Sequence, residues 1–184
     1  LPETSTGGEI GIEQRFWSDR LMFGVTGYKN RVKNLIDFDP SIFKLVNRGS
    51  VDLQGAEAVA QLRPIDALAI NASYTYLDQN VGDGAAPLRN RPRHRAALGA
   101  IYEIGEAWQL SWTTSYFGES EDFSVPTGTV TLDAFFRTDV AVSYRWRQFT
   151  TTLAIDNLFN EKYEQFVGFT APGMRGRLML SARF

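Results

Sequence analysis

The sequence predicts an all-β chain, an antiparallel up-and-down sheet of the transmembrane β-barrel kind with about nine strands. Three observations predict it. Apolar and polar side chains alternate with period two, aromatic residues cluster where strands would cross an interface, and short connections alternate with long ones. The segment 135–146 is the clearest case. Phe136, Thr138, Val140, Val142, Tyr144 and Trp146 share one parity, and Phe135, Arg137, Asp139, Ala141, Ser143 and Arg145 share the other. Charges lie on one face and apolar groups on the opposite one. A soluble sandwich would also alternate, so the aromatic positions Tyr102, Trp108, Tyr116, Tyr144 and Trp146 decide for a girdle at a membrane boundary.

Nine strands are expected, in order. The first covers 8–16, with Ile10, Ile12 and Phe16 opposed to Glu9, Glu13 and Arg15, and the turn 17–20 leads into the second at 21–36. The third covers 44–62, where Gly55, Ala56, Ala58 and Ala60 blur the alternation, and Arg63-Pro64-Ile65-Asp66 closes it. The fourth, 67–77, sets Leu68, Ile70, Ala72, Tyr74 and Tyr76 against Asn71, Ser73 and Thr75. The remaining five are 91–104, 108–117, 132–146, 149–158 and 176–184. Tight turns fall at 17–20, 63–66, 104–107 and 146–148, whereas 37–43, 78–90, 118–131 and 159–175 are longer and rich in Gly, Pro, Asp and Glu. Outer-membrane barrels have this asymmetry, short on the periplasmic side and long outside. A single-chain bacterial barrel normally closes with an even number of strands, so nine points to a portion of a larger barrel.

Composition narrows the functional classes. Residues 1–184 read as one unit without a compositional break. No apolar run approaches the roughly 20 residues of a spanning helix. The chain has no cysteine, which excludes disulfides and thiolate metal sites, and a single histidine, His94, which excludes His-pair metal sites, leaves a Ser-His pairing as the one base available to a hydrolase, and is expected at the rim instead. The net charge of −2 argues against nucleic acid as a partner. The expected chemistry is binding and gated passage, not catalysis, and nothing in the chain calls for a cofactor.

Three segments, taken together, resemble the TonB-dependent outer-membrane receptors. Pro2-Glu3-Thr4-Ser5 with Glu9-Ile10-Gly11 is similar to that family's strand opening. Asn47-Arg48-Gly49-Ser50 through Gly55-Ala56-Glu57 is similar to its Asn-x-Gly and Gly-Val-Glu pattern. Asp156-Asn157-Leu158-Phe159-Asn160-Glu161-Lys162-Tyr163, followed by Gly168, Pro172-Gly173 and Phe184, resembles its carboxy-terminal signature. The resemblance implies the last nine strands of a barrel of about 22, with the plug domain, the energy-coupling box and the other strands outside this chain. It implies the outer membrane of a Gram-negative bacterium. It also implies uptake of a scarce metal chelate, such as siderophore-iron or cobalamin, powered through the TonB complex. Spacing around Leu35-Ile36-Asp37-Phe38-Asp39 and Tyr163-Glu164 is similar to vitamin B12 receptors, although no acidic cluster matches their calcium-binding loops. The alternative is a small self-contained barrel with a structural or adhesive role. A nine-stranded piece has two unpaired edges, so in isolation it is expected to aggregate or to require the rest of the barrel.

Several residues stand out. Tyr116, Phe166 and Phe169 are candidate ligand contacts near or in the long loops. Arg89, Arg91, Arg93 and Arg95 share one parity, and three readings stay open: an anion-attracting lumen stripe, a grip on lipopolysaccharide phosphates, or a solvated or internally paired stripe. Glu119, Glu121 and Asp122 are expected in a solvated loop, and Glu9, Glu13, Glu57, Arg137 and Asp139 as lumen-facing ion pairs. Leu178, Leu180, Ala182 and the terminal Phe184 form an apolar alternation ending on an aromatic. That pattern resembles the signal read by the barrel assembly machinery, recognised by strand addition at a sheet edge.

Overall fold

The computed structural model describes residues 1–39, 42–82 and 88–184; positions 40–41 and 83–87 of two expected connections lie outside the described residues. One nine-stranded antiparallel sheet dominates. Its strands, in spatial order, are β1 (Thr4–Phe16), β2 (Leu21–Asp39), β3 (Lys44–Ile65), β4 (Leu68–Val81), β5 (His94–Ile104), β6 (Trp108–Phe117), β9 (Phe135–Trp146), β10 (Phe149–Asp156) and β13 (Arg175–Ala182). Spatial order follows chain order among these nine strands, as an up-and-down sheet requires. β1 and β13 are its two edges. No helix is long and apolar enough to cross a membrane among the described residues.

Two expectations need correction. β2 and β3 stay paired out to Asp39 and Lys44, so residues 37–39 of the long connection expected at 37–43 belong to β2. The loops after β6 and β10 are not irregular: β7 (Ser120–Ser124) pairs with β8 (Gly128–Leu132), and β11 (Glu164–Phe166) with β12 (Phe169–Thr170). These strands have two to five residues, too few for alternation to register in sequence.

Strand register settles the faces. One ladder row runs through Ile12, Val25, Ala58, Tyr74, Ala96, Tyr116 and Phe136, all on one face. This assigns the ambiguous third strand. Ala56, Ala58, Ala60 and Leu62 share the apolar face, whereas Gly55, Glu57, Val59 and Gln61 share the polar one. Gly55 is required there, because a β-carbon would run into the Tyr76 carbonyl oxygen and the Tyr28 ring lying across it. On the apolar face Thr114 and Thr138, which are ladder partners, satisfy each other's hydroxyls at 2.8 Å.

The ladder also gives the tilt. From that row, the short turns begin four residues down at Phe16, six at Leu68, eight at Ile104 and ten at Trp146. Each hairpin therefore slips two residues, or one per strand. A slip of ~3.3 Å per ~4.8 Å of sheet width is a strand tilt of about 35°, the value at which barrels close.

Measured from the short turns, Tyr116 stands eight residues above Trp108, and Tyr76 eight above Leu68. At this tilt eight residues rise ~22 Å, close to the ~25 Å apolar band of an outer-membrane barrel. Aromatic pairs mark both limits on the apolar face: Tyr116 with Phe136 at 4.7 Å above, Trp108 with Tyr144 at 4.5 Å below. His94 belongs to the upper ring, its Nδ1 2.7 Å from the Tyr74 hydroxyl.

Candidate ligand-binding rim

The long-loop end of the sheet carries the site. A cavity of about 630 Å³ there is lined by Leu35 to Asp37 of β2, by Leu88 to Arg91, by Asp122 to Ser124 of β7, and by Phe166, Val167 and Phe169. These segments are far apart in strand order, so the sheet curls to bring them together on one side. Asp122 fastens the arrangement. It is 4% exposed, and its carboxylate accepts from the Val167 amide at 2.7 Å and from Asn90 Nδ2 at 3.4 Å. The Asn90 amide also donates to the Glu121 carbonyl at 2.8 Å. Expected as part of a solvated loop, Asp122 is instead the buried pin between three loops. The signal was absent from sequence because the partners lie 45 and 32 residues away.

The four arginines do not form one stripe. β5 begins only at His94, and Asn90 adopts φ 56°, which breaks the extended run the shared parity presupposed. Arg95 alone sits in the strand, its guanidinium 5.0 Å over Phe117. Arg93 turns to Asp78 at 3.2 Å. Arg89 and Arg91 line the cavity without an acidic partner among the described residues, held by a turn in which Gln79 exchanges two hydrogen bonds with the Leu88 backbone. Asn90 Oδ1 is buried there without a hydrogen-bond partner among the described residues.

Of the three aromatic candidates, Phe166 and Phe169 come together across the β11–β12 hairpin and line the cavity, 55% and 73% exposed. Gly168 makes that hairpin possible with φ +80°. Tyr116 is elsewhere. It lies on the apolar face against Phe136, which makes it a girdle residue and separates it from the cavity.

The base of the 157–174 loop is rigid. Asn157, 2% exposed with φ 53°, accepts from the Glu161 amide at 2.8 Å and donates to the Glu161 and Pro172 carbonyls. Asp139 accepts from the Asn157 amide at 2.8 Å and pairs with Arg137 at 3.0 Å. A ring stack runs from Phe117 to Phe135 to Tyr163, with centroids 4.9 and 3.9 Å apart. Of the other expected pairs, Glu13 bonds Arg15 at 3.0 Å, whereas Glu9 and Glu57 oppose Tyr28 and Thr26 in the ladder. The carboxy-terminal set lies as alternation requires: Leu178 and Leu180 are exposed on the apolar face, Ala182 ends β13, and Phe184 follows the strand, fully exposed.

A tilted, girdled antiparallel wall with hairpin-bearing loops at one end is the architecture of an outer-membrane-type β-barrel. The chain belongs to the TonB-dependent receptor family: the family model described as "TonB dependent receptor-like, beta-barrel" matches residues 1–158. Solved structures agree on the fold. The siderophore receptor PirA from Acinetobacter baumannii superposes with a TM-score of 0.82 at 17% identity, over 100% of this chain and 32% of that one. The ferric-catecholate import receptor Fiu from Escherichia coli gives 0.81 at 18% identity, over 100% and 28%. The pyoverdine receptor FpvA from Pseudomonas aeruginosa gives 0.80 at 15%, over 100% and 30%. The chain thus spans about a third or less of these receptors. The family is one of outer-membrane receptors and transporters, not enzymes.

Proposed function

We propose that this chain is the carboxy-terminal wall of a receptor that takes up an anionic ferric siderophore, with Arg89, Arg91, Phe166 and Phe169 as its ligand contacts. The observation that carries the proposal is the cavity: two guanidinium groups without acidic partners among the described residues stand with two exposed phenyl rings in about 630 Å³. Guanidinium groups suit the charged oxygens of an iron chelate, and aromatic rings suit its apolar portions. Cobalamin is the weaker reading, since only the similarity around Leu35–Asp39 and Tyr163-Glu164 supports it.

In this proposal a plug domain and further strands complete the barrel, TonB supplies energy through the plug, and the assembly machinery reads Leu178, Leu180, Ala182 and Phe184. The test is equilibrium binding of iron-55 chelates of the catecholate and hydroxamate classes, beside labelled cyanocobalamin, to the full-length receptor. Arg89→Ala/Arg91→Ala should weaken an iron chelate at least tenfold. Binding of cobalamin alone, or unchanged chelate binding by the variant, overturns the assignment.

A further inference from the structure

We propose that Lys29, Arg31 and Lys33 form a phosphate-binding ladder on the outer wall of β2 that holds a bis-phosphorylated glycolipid of the outer leaflet. The inference rests on the outer-membrane receptor reading, with the apolar band between the two aromatic rings taken as the hydrocarbon layer, and concerns a different surface from the ligand cavity. The three residues alternate along β2, in the ladder rows of Gly8, Thr6 and Thr4 on β1, and all belong to the apolar face. Alternate residues stand ~7 Å apart, so Lys29 and Lys33 are separated by ~13 Å and can meet two phosphates of one lipid.

Height makes the placement specific. Lys29 is eight residues above the short turn at Leu21, level with Tyr76 and Tyr116 in the upper aromatic ring; Arg31 and Lys33 are ten and twelve above it. They therefore begin where hydrocarbon ends and continue through the headgroup layer. Below them the same face of β2 carries Leu21, Phe23, Val25 and Gly27. A cationic run set directly above such a band meets anionic headgroups, and small neighbours leave room: Thr4 and Thr6 line, with the three cations, a cleft of about 500 Å³.

The cations are also organised. Arg31 is fixed by two hydrogen bonds to Asp52, at 2.6 and 2.7 Å. Lys29 and Lys33 have no ion-pair partner among the described residues, which leaves two ammonium groups flanking an anchored guanidinium. The Arg31 hydrogen bond, above the apolar band, holds the Asp52 carboxyl below the usual carboxylate range, so the pair stays formed and the two lysines supply the net charge.

The experiment titrates the detergent-purified full-length receptor with lipid A by native mass spectrometry. Lys29→Gln/Lys33→Gln keeps the Arg31–Asp52 pair, and Arg15→Gln on the polar face is the control. A basic group at an anionic membrane surface contributes about fivefold, so the double variant should bind bis-phosphorylated lipid A roughly 25-fold more weakly. Wild type should bind dephosphorylated lipid A as weakly, and Arg15→Gln should bind as wild type does. Displacement of lipid A by millimolar inorganic phosphate would make this a small-anion site and overturn the lipid assignment. Carbonate extraction of membranes reports insertion separately. A wild-type receptor that is stripped from the membrane overturns the membrane reading together with the ladder. An embedded receptor whose double variant binds within twofold of wild type overturns the ladder alone.

Discussion

Asp122→Ala tests whether the cavity proposed to hold the ligand is preorganised by one buried carboxylate. The substitution leaves the Val167 amide without its 2.7 Å acceptor and frees Asn90 Nδ2 at the same time. A hydrogen bond to a charged acceptor contributes about 1.5–3 kcal/mol, and a middle value of ~2 kcal/mol is a factor of roughly 30 in the docking equilibrium of the β11–β12 hairpin. The assay is amide hydrogen exchange in the full-length receptor, read at Val167 and at Asn90. Protection at Val167 should fall about 30-fold, with chelate affinity falling in the same direction because Phe166 and Phe169 flank that amide in the hairpin. Asp122→Asn should fall between the two, since an amide oxygen still accepts from Val167 while its NH2 opposes that of Asn90. Exchange at Val167 within threefold of wild type in Asp122→Ala would refute the pin.

Gly55→Val should impair barrel assembly, because the added carbons meet the Tyr76 carbonyl and the Tyr28 ring; the yield of heat-modifiable folded receptor checks it, and normal yield would contradict the packing. Removing Phe184 from the full-length receptor should lower insertion while leaving β13 pairing intact, since the residue lies beyond Ala182; quantitative outer-membrane blotting reads this. In single-tryptophan variants, brominated lipids should quench Trp112 at a depth ~11 Å below that of Trp108, measured toward the bilayer centre, because four residues on the apolar face separate them at the tilt derived above. Equal depths would refute the tilt and the face assignment together.

The wall was legible and the rim was not, for reasons visible in particular residues. Nine strands repeat a period-two pattern over eight or more residues, so β4 declares itself through Leu68 to Tyr76 and β9 through Phe136 to Trp146. Even β3, where Gly and Ala blur the pattern, is assigned once Tyr28 and Tyr76 are placed beside it. The loop hairpins are set by contacts between segments remote in sequence, and their strands are too short to alternate. Asp122 looked like one acid among Glu119 and Glu121; only its burial under Val167 separates it from them. Tyr116 carried two signals, girdle aromatic and loop-adjacent aromatic, and its ladder partner Phe136 decides for the first.

The arginines show how far residue type falls short of role. Arg31, Arg93, Arg95 and Arg89 all lie toward the long-loop end, and shared parity groups three of them as one stripe. Height and register separate them. Arg95 is inside the sheet on the polar face and lies over the Phe117 ring, where a carboxylate partner is replaced by an aromatic one. Arg93 is joined to Asp78, which also accepts from Gln54, so it closes a polar network at the top of β3 and β4. Arg31 is equally paired, but on the apolar face above the aromatic ring, where its lysine neighbours leave net positive charge. Arg89 and Arg91 stand in a turn whose backbone Gln79 and Glu121 hold, and neither guanidinium has an acidic partner among the described residues. A cation beside an apolar surface with no acidic partner is open to an anion, and among the described residues Arg89 and Arg91 meet that condition whereas Arg93, paired with Asp78, does not. It follows that Arg93→Gln should loosen the rim of β4 while leaving anion affinity nearly unchanged, whereas Arg89→Gln should do the reverse. Comparing exchange at Leu77 with chelate affinity in the two variants separates these roles, and identical profiles would refute the distinction.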